Sequence, residues 1–451
     1  MSSTSFVSST QISAPASGQT IAVIGSGISG LASAWFLSQT HTVTLFEKNA
    51  KLGGHTNTVN VSVDGKTQPV DTGFIVFNRP NYPNLSAMLA HLKVNTIETE
   101  MSFSASINQG ALEYSGNNLN TLFAQRRNLF SWAHWTMIRQ ILRFNKQAKS
   151  DLKTRTNLEM SLGEYLTMHG FNERMQSAYL LPMAAAIWSC PVSSMMKFPV
   201  GSFLQFFENH GLLNVEDRPQ WETVQGGSQT YIDAMLQTAR FKYQLSSPVK
   251  AVQKDSNGVM VKLQNDEQQV FDQVVFASHA DQSYAMLSPE LQKHFHVINN
   301  FQYQENIAYL HQDLTLMPKR KRAWAAWNYL RDTQHVENRV AVTYWMNLLQ
   351  TLDTPTPLLV TLNPLELPDQ DKTFKKIIYQ HPVFDQPAMD AQHSIKALQG
   401  DHNIWFCGAY LGYGFHEDGL TSAVNLARLW NLKLPWETAN AQASADAKPH
   451  V

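Results

Sequence analysis

The sequence predicts an α/β protein built on a discontinuous, doubly wound parallel sheet, with an α+β domain inserted into it. Three observations carry this. A short apolar run, Thr20–Ile24, leads through a glycine turn into an Ala-rich helix and a second strand that ends at Glu47. Two more apolar runs of strand length, residues 270–277 and 404–407, lie far downstream. Between these blocks the pattern is mainly helical over residues 81–219, then strand-like again at intervals.

Each element follows from its local pattern. Thr20–Ile24 is β-branched and apolar without alternation, as befits a strand covered on both faces. Gly25, Gly27 and Gly30 form a G-x-G-x-x-G before the helix at 31–37, and residues 41–46 supply the next strand. Residues 58–63 and 66–70 alternate around Asp64-Gly65, which reads as a hairpin. Residues 129–144 have helical spacing, with Trp132, Trp135, Ile138, Ile141 and Leu142 on one face and Arg139, Arg143, Lys146 and Lys149 on the remainder. The nearly uncharged stretch 180–191 reads as a buried core helix or as the wall of an apolar tunnel. Strands follow at 247–252, at 258–264 after a turn, and at 270–277. Strand-like runs recur at 340–344 and 358–362, and a strand at 404–407 precedes a helix at 419–432.

Composition narrows the function. The 451 residues suffice for two or three domains at roughly 150 residues each. Aromatics at 11% in a chain with 43% hydrophobic residues make it a folded protein rather than a disordered one. The formal charge of −1 supplies no global positive field for a nucleic-acid partner. Cys190 and Cys407 are the only cysteines, so neither a disulfide framework nor a Cys-based zinc site is expected, and a reducing compartment fits. The histidines fall into no ligand spacing; His294 and His296 lack a third partner, and no metal is expected. No G-x-S-x-G nucleophile setting is present. Residues 1–20 lack signal-peptide features, and no apolar run reaches the ~18 residues of a spanning helix. A cytoplasmic protein is expected, with tails at 1–19 and 437–451 disordered. Arg126-Arg127 before the Trp-bearing helix, and Lys319-Arg320-Lys321-Arg322 beside Trp324 and Trp327, read as solvated basic faces or as peripheral contacts with the inner face of a membrane.

The glycine turn carries the chemistry. Gly25 permits the tight turn, Gly27 lets a pyrophosphate approach the backbone, and Gly30 allows close helix–strand packing. The helix N-terminus offers unpaired N–H groups to that anion. Glu47, 22 residues after Gly25, is placed to accept bonds from ribose hydroxyls. Gly53-Gly54-His55-Thr56-Asn57-Thr58 then adds a second backbone concavity of the kind that binds anions.

Here the chain resembles a known group. Glu47-Lys48 with Leu52-Gly53-Gly54, followed by Asp71-x-Gly73, looks like the FAD-binding start of the flavin amine oxidase, protoporphyrinogen oxidase and phytoene desaturase superfamily. Gly226-Gly227 before a helix, Pro248-Val249 and the strand ending at Ala277 look like its middle. Phe406-Cys407-Gly408-Ala409 and Asp418-Gly419-Leu420 look like its closing motif. The resemblance implies a two-domain flavoprotein with a Rossmann-like FAD-binding domain at 20–80, 221–298 and 399–436. Its substrate domain is helical at 81–220 and sheet-like at 299–398. It implies non-covalent FAD held by Gly25, Gly27, Ser29, Gly30, Glu47, Lys48, Gly53, Gly54, His55, Thr56, Asn57 and Thr58, by Val249 near the adenine, and by Gly408, Ala409, Gly419 and Leu420. Three positions depart from the group: His55 replaces an arginine, Ala409 an acidic residue, and His416 a cage tyrosine.

The implied activity is hydride transfer from a substrate C–H to the flavin N5. His416 and Tyr413 are the catalytic candidates, and Phe74, Tyr410 and Phe415 the pocket candidates. Low charge and abundant Trp, Phe and Met favour an apolar or lipid-like substrate. Trp324-Ala-Ala-Trp327-Asn-Tyr and Val360-Thr-Leu-Asn-Pro364 resemble a bacterial subgroup that includes desaturases of methyl-branched phospholipid acyl chains. Oxidation of a primary amine or polyamine is the alternative and predicts acidic residues at the pocket mouth. Desaturation predicts a long apolar cavity opening near Arg139 or Lys319. An FAD-bound partner protein without turnover is a third reading. The electron acceptor and the oligomeric state have no signature in the sequence.

Overall fold

Thr20–Ile24 is the centre of a five-stranded, all-parallel sheet. Its order is Lys242–Gln244, Thr42–Phe46, Thr20–Ile24, Gln273–Phe276, Ile404–Phe406. The computed structural model describes residues 14–188, 192–214, 219–332 and 341–437; Cys190 and tail residues 1–13 and 438–451 lie outside them. Register decides where the site falls. Ile24 pairs with Phe46 and Phe276, Phe276 with Phe406 and Phe46 with Gln244, so all five strands end in one row. Residues Gly25, Glu47, Ala277 and Cys407 therefore emerge side by side. The chain leaves the first strand to one side and returns on the other, which makes this row a topological switch point, where open α/β sheets bind ligands.

Both faces of the sheet are covered, which is why its strands are apolar throughout. Ile21, Val23 and Val275 pack under helices Ile28–Leu37 and His416–Leu429. Ala22, Ile24, Val274 and Phe276 pack under an antiparallel sheet of Val249–Asp255, Gly258–Leu263 and Gln268–Phe271. A second, mixed sheet has seven strands in the order Thr373–Val383, Gln302–His311, Leu359–Leu362, Ala341–Trp345, Trp327–Arg331, Phe103–Ile107, Leu112–Ser115. Buried Asp71 pins the hairpin Thr58–Val63/Lys66–Asp71 in place. Its carboxylate accepts bonds from Ser228 N–H (2.9 Å), Ser228 Oγ (2.7 Å), Thr58 Oγ1 (2.6 Å) and Gln350 Nε2 (2.9 Å).

Several expectations need correction. Residues 96–115 are strands rather than helix, because Thr96–Thr99, Phe103–Ile107 and Leu112–Ser115 are completed by partners distant in sequence, Trp221–Val224 and Trp327–Arg331 among them. The run 270–277 breaks at Asp272, whose carboxylate accepts bonds from Thr20 N–H (2.7 Å) and Oγ1 (2.8 Å) and so divides two sheets. The closing helix begins at His416, not 419. The long helix runs over Trp132–Thr154 and buries another face than the spacing suggests: His134, Met137, Phe144 and Ala148 are inside, while Trp132, Trp135 and Leu142 are exposed. No helix among the described residues is long and apolar enough to cross a membrane.

Candidate active site

The site grows from the strand ends. Gly25 donates its N–H to Phe46 O (2.9 Å) and sits at φ +103°, where a Cβ would lie 2.9 Å from Ala277 O. Gly27 is the N-cap of the ten-residue helix Ile28–Leu37, with no side-chain cap and no acid in the first turn. A Cβ there would meet nothing within 4 Å. The orphan N–H groups of that turn thus face open space, an anion cradle in both geometry and dipole. The double-glycine loop closes over it, with Gly54 at φ +59° and its Cβ position 3.1 Å from Gly27 Cα.

Glu47 is held rigidly beside this cradle. One carboxylate oxygen accepts from Ser26 N–H (3.0 Å) and Ser26 Oγ (2.5 Å), the other from Asn49 N–H and Nδ2, each at 2.8 Å. A carboxylate has about four lone-pair directions. Ser26 and Asn49 fill these directions and fix the carboxylate at the end of its strand beside the cradle.

The cradle opens into a cavity of about 1260 Å³. Gly25, Gly27, Ser29, Glu47, Lys48, Gly53, Gly54, His55, Asn57, Val249, Gly408 and Ala409 line it, together with Phe74, Tyr410, Tyr413, Phe415 and His416. Five expected residues stand behind its wall. Gly30 and Gly419 serve close packing, since a Cβ would fall 1.9 Å from Gly25 O and 2.8 Å from Ile28 Cγ2. Thr56 turns to Tyr231, Thr58 to Asp71, and Leu420 belongs to the core. Cys407 is also outside the cavity, its sulfur 3.3 Å from Ser33 Oγ and its thiol pushed up to about 12 by burial.

His416 is locked in place. Phe74 stacks on its ring at 3.9 Å and 10°, and Tyr231 Oη bonds its Nε2 at 2.9 Å, with Thr56 Oγ1 completing the chain. Burial, then nearby His55, push His416 down to about 3, so it is neutral at physiological pH. Phe415 stacks on Phe206 at 4.8 Å. Tyr410 Oη has no partner among the described residues, and burial holds its phenol well above the usual value.

A second group was not anticipated. His55 stacks on Tyr379 (4.8 Å) and lies 5.3 Å from His381 and 6.4 Å from His279, which stacks on Tyr303 at 4.4 Å. Burial and, secondarily, nearby charges lower His55 and His279 to about 4 and His381 to about 3. The loop thus carries a neutral imidazole, His55, where an arginine would place a fixed cation. His279 had a signal, since it lies three residues beyond a parallel strand end. His381, Tyr379 and Tyr231 had none, being set by pairing and packing across the chain.

Beyond the strand ends the cavity runs into an apolar arm lined by Met183, Ile187, Trp188, Phe206, Trp327 and Tyr344. Glu47 is the only acidic residue on the lining among the described residues, and it belongs to the cradle end. Neither Arg139 nor Lys319 lines the cavity. No group of three potential metal ligands occurs among the described residues.

The sequence matches the family model described as flavin containing amine oxidoreductase over residues 28–321. The fold is similar to that of a CLA-producing fatty acid isomerase from P. acnes, at 13% identity and TM-score 0.65, covering 91% of this chain and 98% of that one. It is also similar to a putrescine oxidase, at 16% identity and TM-score 0.62, covering 92% and 99%. No curated protein sequence is significantly similar to the chain.

Proposed function

Because the chain belongs to the flavin-containing amine oxidoreductase family and is an FAD-dependent oxidoreductase, we propose that it desaturates an apolar, lipid-like substrate, with a methyl-branched acyl chain as the leading candidate. The apolar, acid-free arm of the cavity is the observation that carries this reading. An alkylammonium group there would be desolvated without a counter-charge, at a cost of several kcal/mol. An acyl chain instead gains about 0.8 kcal/mol for each CH₂ buried.

The cofactor fits the residues present: the uncapped helix start and the side-chain-free face of Gly27 suit its pyrophosphate, and a cavity of about 1260 Å³ continues from that cradle. Bound FAD supplies the two-electron acceptor. Phe74, Phe415 and Tyr413 orient the chain and exclude water. His416, held neutral by burial, and Tyr231 Oη form a bonded pair (2.9 Å) that fixes the imidazole against Phe74 on the cavity lining beside the chain.

Anaerobic titration of the purified yellow holoprotein tests this. A lipid extract rich in methyl-branched acyl chains should bleach the visible flavin absorbance, and putrescine or spermidine should not. Bleaching by amines alone would replace this reading with amine oxidation.

A further inference from the structure

The exposed face of the helix Trp132–Thr154 and the turn before it present large apolar side chains to solvent. Phe130 is 92% exposed, Trp132 81%, Leu142 49%, Trp135 47% and Leu129 42%. Trp135 Nε1 donates to Leu129 O (2.9 Å), which fixes the turn against the helix and leaves the indole face outward. From Trp135 the same helical stripe continues through exposed Arg139, Leu142, Lys146 and Lys153.

A second basic segment meets this one in space. Arg320 Nη1 donates to Gly110 O (3.1 Å), Gln125 Nε2 donates to the same oxygen (2.9 Å), and Arg127 donates to Ala111 O. Residues 319–322 and 126–130 therefore flank one turn. Among the described residues Arg320 is neutralised by buried Glu113 (2.7 Å). No acid among them pairs with Arg126, Arg127, Lys319, Lys321 or Arg322, all of them exposed.

We infer that this face docks on an anionic lipid bilayer, with Phe130 and Trp132 inserted at the acyl boundary and the basic cluster against the headgroups. Aromatic and aliphatic side chains ringed by Lys and Arg suit an interface that is apolar within and negative at its surface. A second copy on the same patch would bring like charges together across a two-fold contact. A single-stranded nucleic acid would use the cations and rings but has no place for Leu129 and Leu142. The edge strand beneath the cluster, Leu112–Ser115, also lines the cavity through Tyr114. Direct delivery of a membrane lipid along that strand rests on the proposed substrate; docking does not.

Full-length holoprotein is mixed, without substrate, with vesicles of phosphatidylcholine alone or containing phosphatidylglycerol. Sedimentation with the anionic vesicles, loss of binding at high salt and quenching of Trp fluorescence by acyl-brominated lipid are expected. Lys321→Glu with Arg322→Glu should weaken binding by more than about twentyfold, at roughly fivefold for each charge removed. Phe130→Ser with Trp132→Ser should abolish the quenching. An unchanged flavin spectrum and melting temperature establish that both variants fold. Equal binding to neutral vesicles, no binding at low salt, insensitivity to both variants, a dimer that buries Trp132, or tighter binding to single-stranded RNA would each overturn the inference. Because no turnover is read, failure here is separable from failure of the flavin titration.

Discussion

At the scale of single residues, two glycines two positions apart do different work, and the difference can be measured. A Cβ on Gly27 touches no protein atom, so it would intrude only on the ligand. Gly27→Val should fold normally, with a melting temperature close to wild type, yet bind FAD at least about a hundredfold more weakly, a loss of roughly 3 kcal/mol. Gly25→Val should instead fail to fold or melt early, because φ is +103° and the Cβ would lie 2.9 Å from Ala277 O. Equilibrium dialysis of FAD beside thermal unfolding separates the two; equal damage to fold and affinity in both would refute the assignment. Tyr231→Phe makes a third case. It leaves buried His416 Nε2 and Thr56 Oγ1 without their shared partner. It should cost about 1–3 kcal/mol of stability. If His416 works only through packing on Phe74, turnover will survive that substitution.

At the scale of elements, legibility depended on how local the determinants are. The stretch from Thr20 to Glu47 declares itself because strand, turn, helix and acid are contiguous and each has its own chemistry. Phe103–Ile107 does not, since its sequence FSASI is mostly small and polar and becomes a strand only by pairing with Trp327–Arg331 and Leu112–Ser115. His381 was invisible for the same reason: it reaches His55 from a strand, Thr373–Val383, whose partner Gln302–His311 lies far back in the chain. The long helix shows a different failure. Trp132, Trp135 and Leu142 have core-like spacing, yet the packed side is the one with Met137, Phe144 and Ala148, and periodicity alone cannot say which apolar side meets the protein. Phe144→Ala should therefore cost roughly 3–5 kcal/mol. Trp132→Ser should change stability by no more than about 0.5 kcal/mol. Chemical denaturation of the two variants decides; the reverse order would mean that the exposed tryptophan is buried in solution.

At the scale of the whole molecule, folding buries polar and titratable groups from remote segments, five of the histidines on the cavity that opens from the row of strand ends, and burial sets their charge. His55, His210, His279 and His311 are lowered to about 4, and His381 and His416 to about 3, in each case chiefly by burial. Burial acts oppositely on carboxyls, raising Asp71 and Asp418 to about 6 and Glu417 to about 7. The two sets pull stability in opposite directions. An imidazole with a depressed folded value leaves stability whole above the unfolded value near 6.5, and stability falls as pH drops towards 4, because the unfolded chain binds the proton first. A carboxyl with a raised folded value stabilises below its unfolded value, near 4, and loses that contribution as pH rises through 6–7. Of the groups just named, acid weakens the fold through the six imidazoles and strengthens it through the three carboxyls. Each uncompensated group is worth up to about 1.4 kcal/mol per pH unit. Unfolding free energy should accordingly drop by roughly 2–4 kcal/mol from pH 6 to pH 5. His210→Phe isolates one contributor: its ring packs tilted on Phe206 at 4.0 Å, so phenylalanine keeps the contact and removes the titration. That variant should flatten the pH dependence by about 1 kcal/mol per unit. A profile that stays flat from pH 6.5 to 4.5 in the wild type would show that these imidazoles are solvated, and with them the part of the cavity wall formed by His55, His210, His279, His381 and His416.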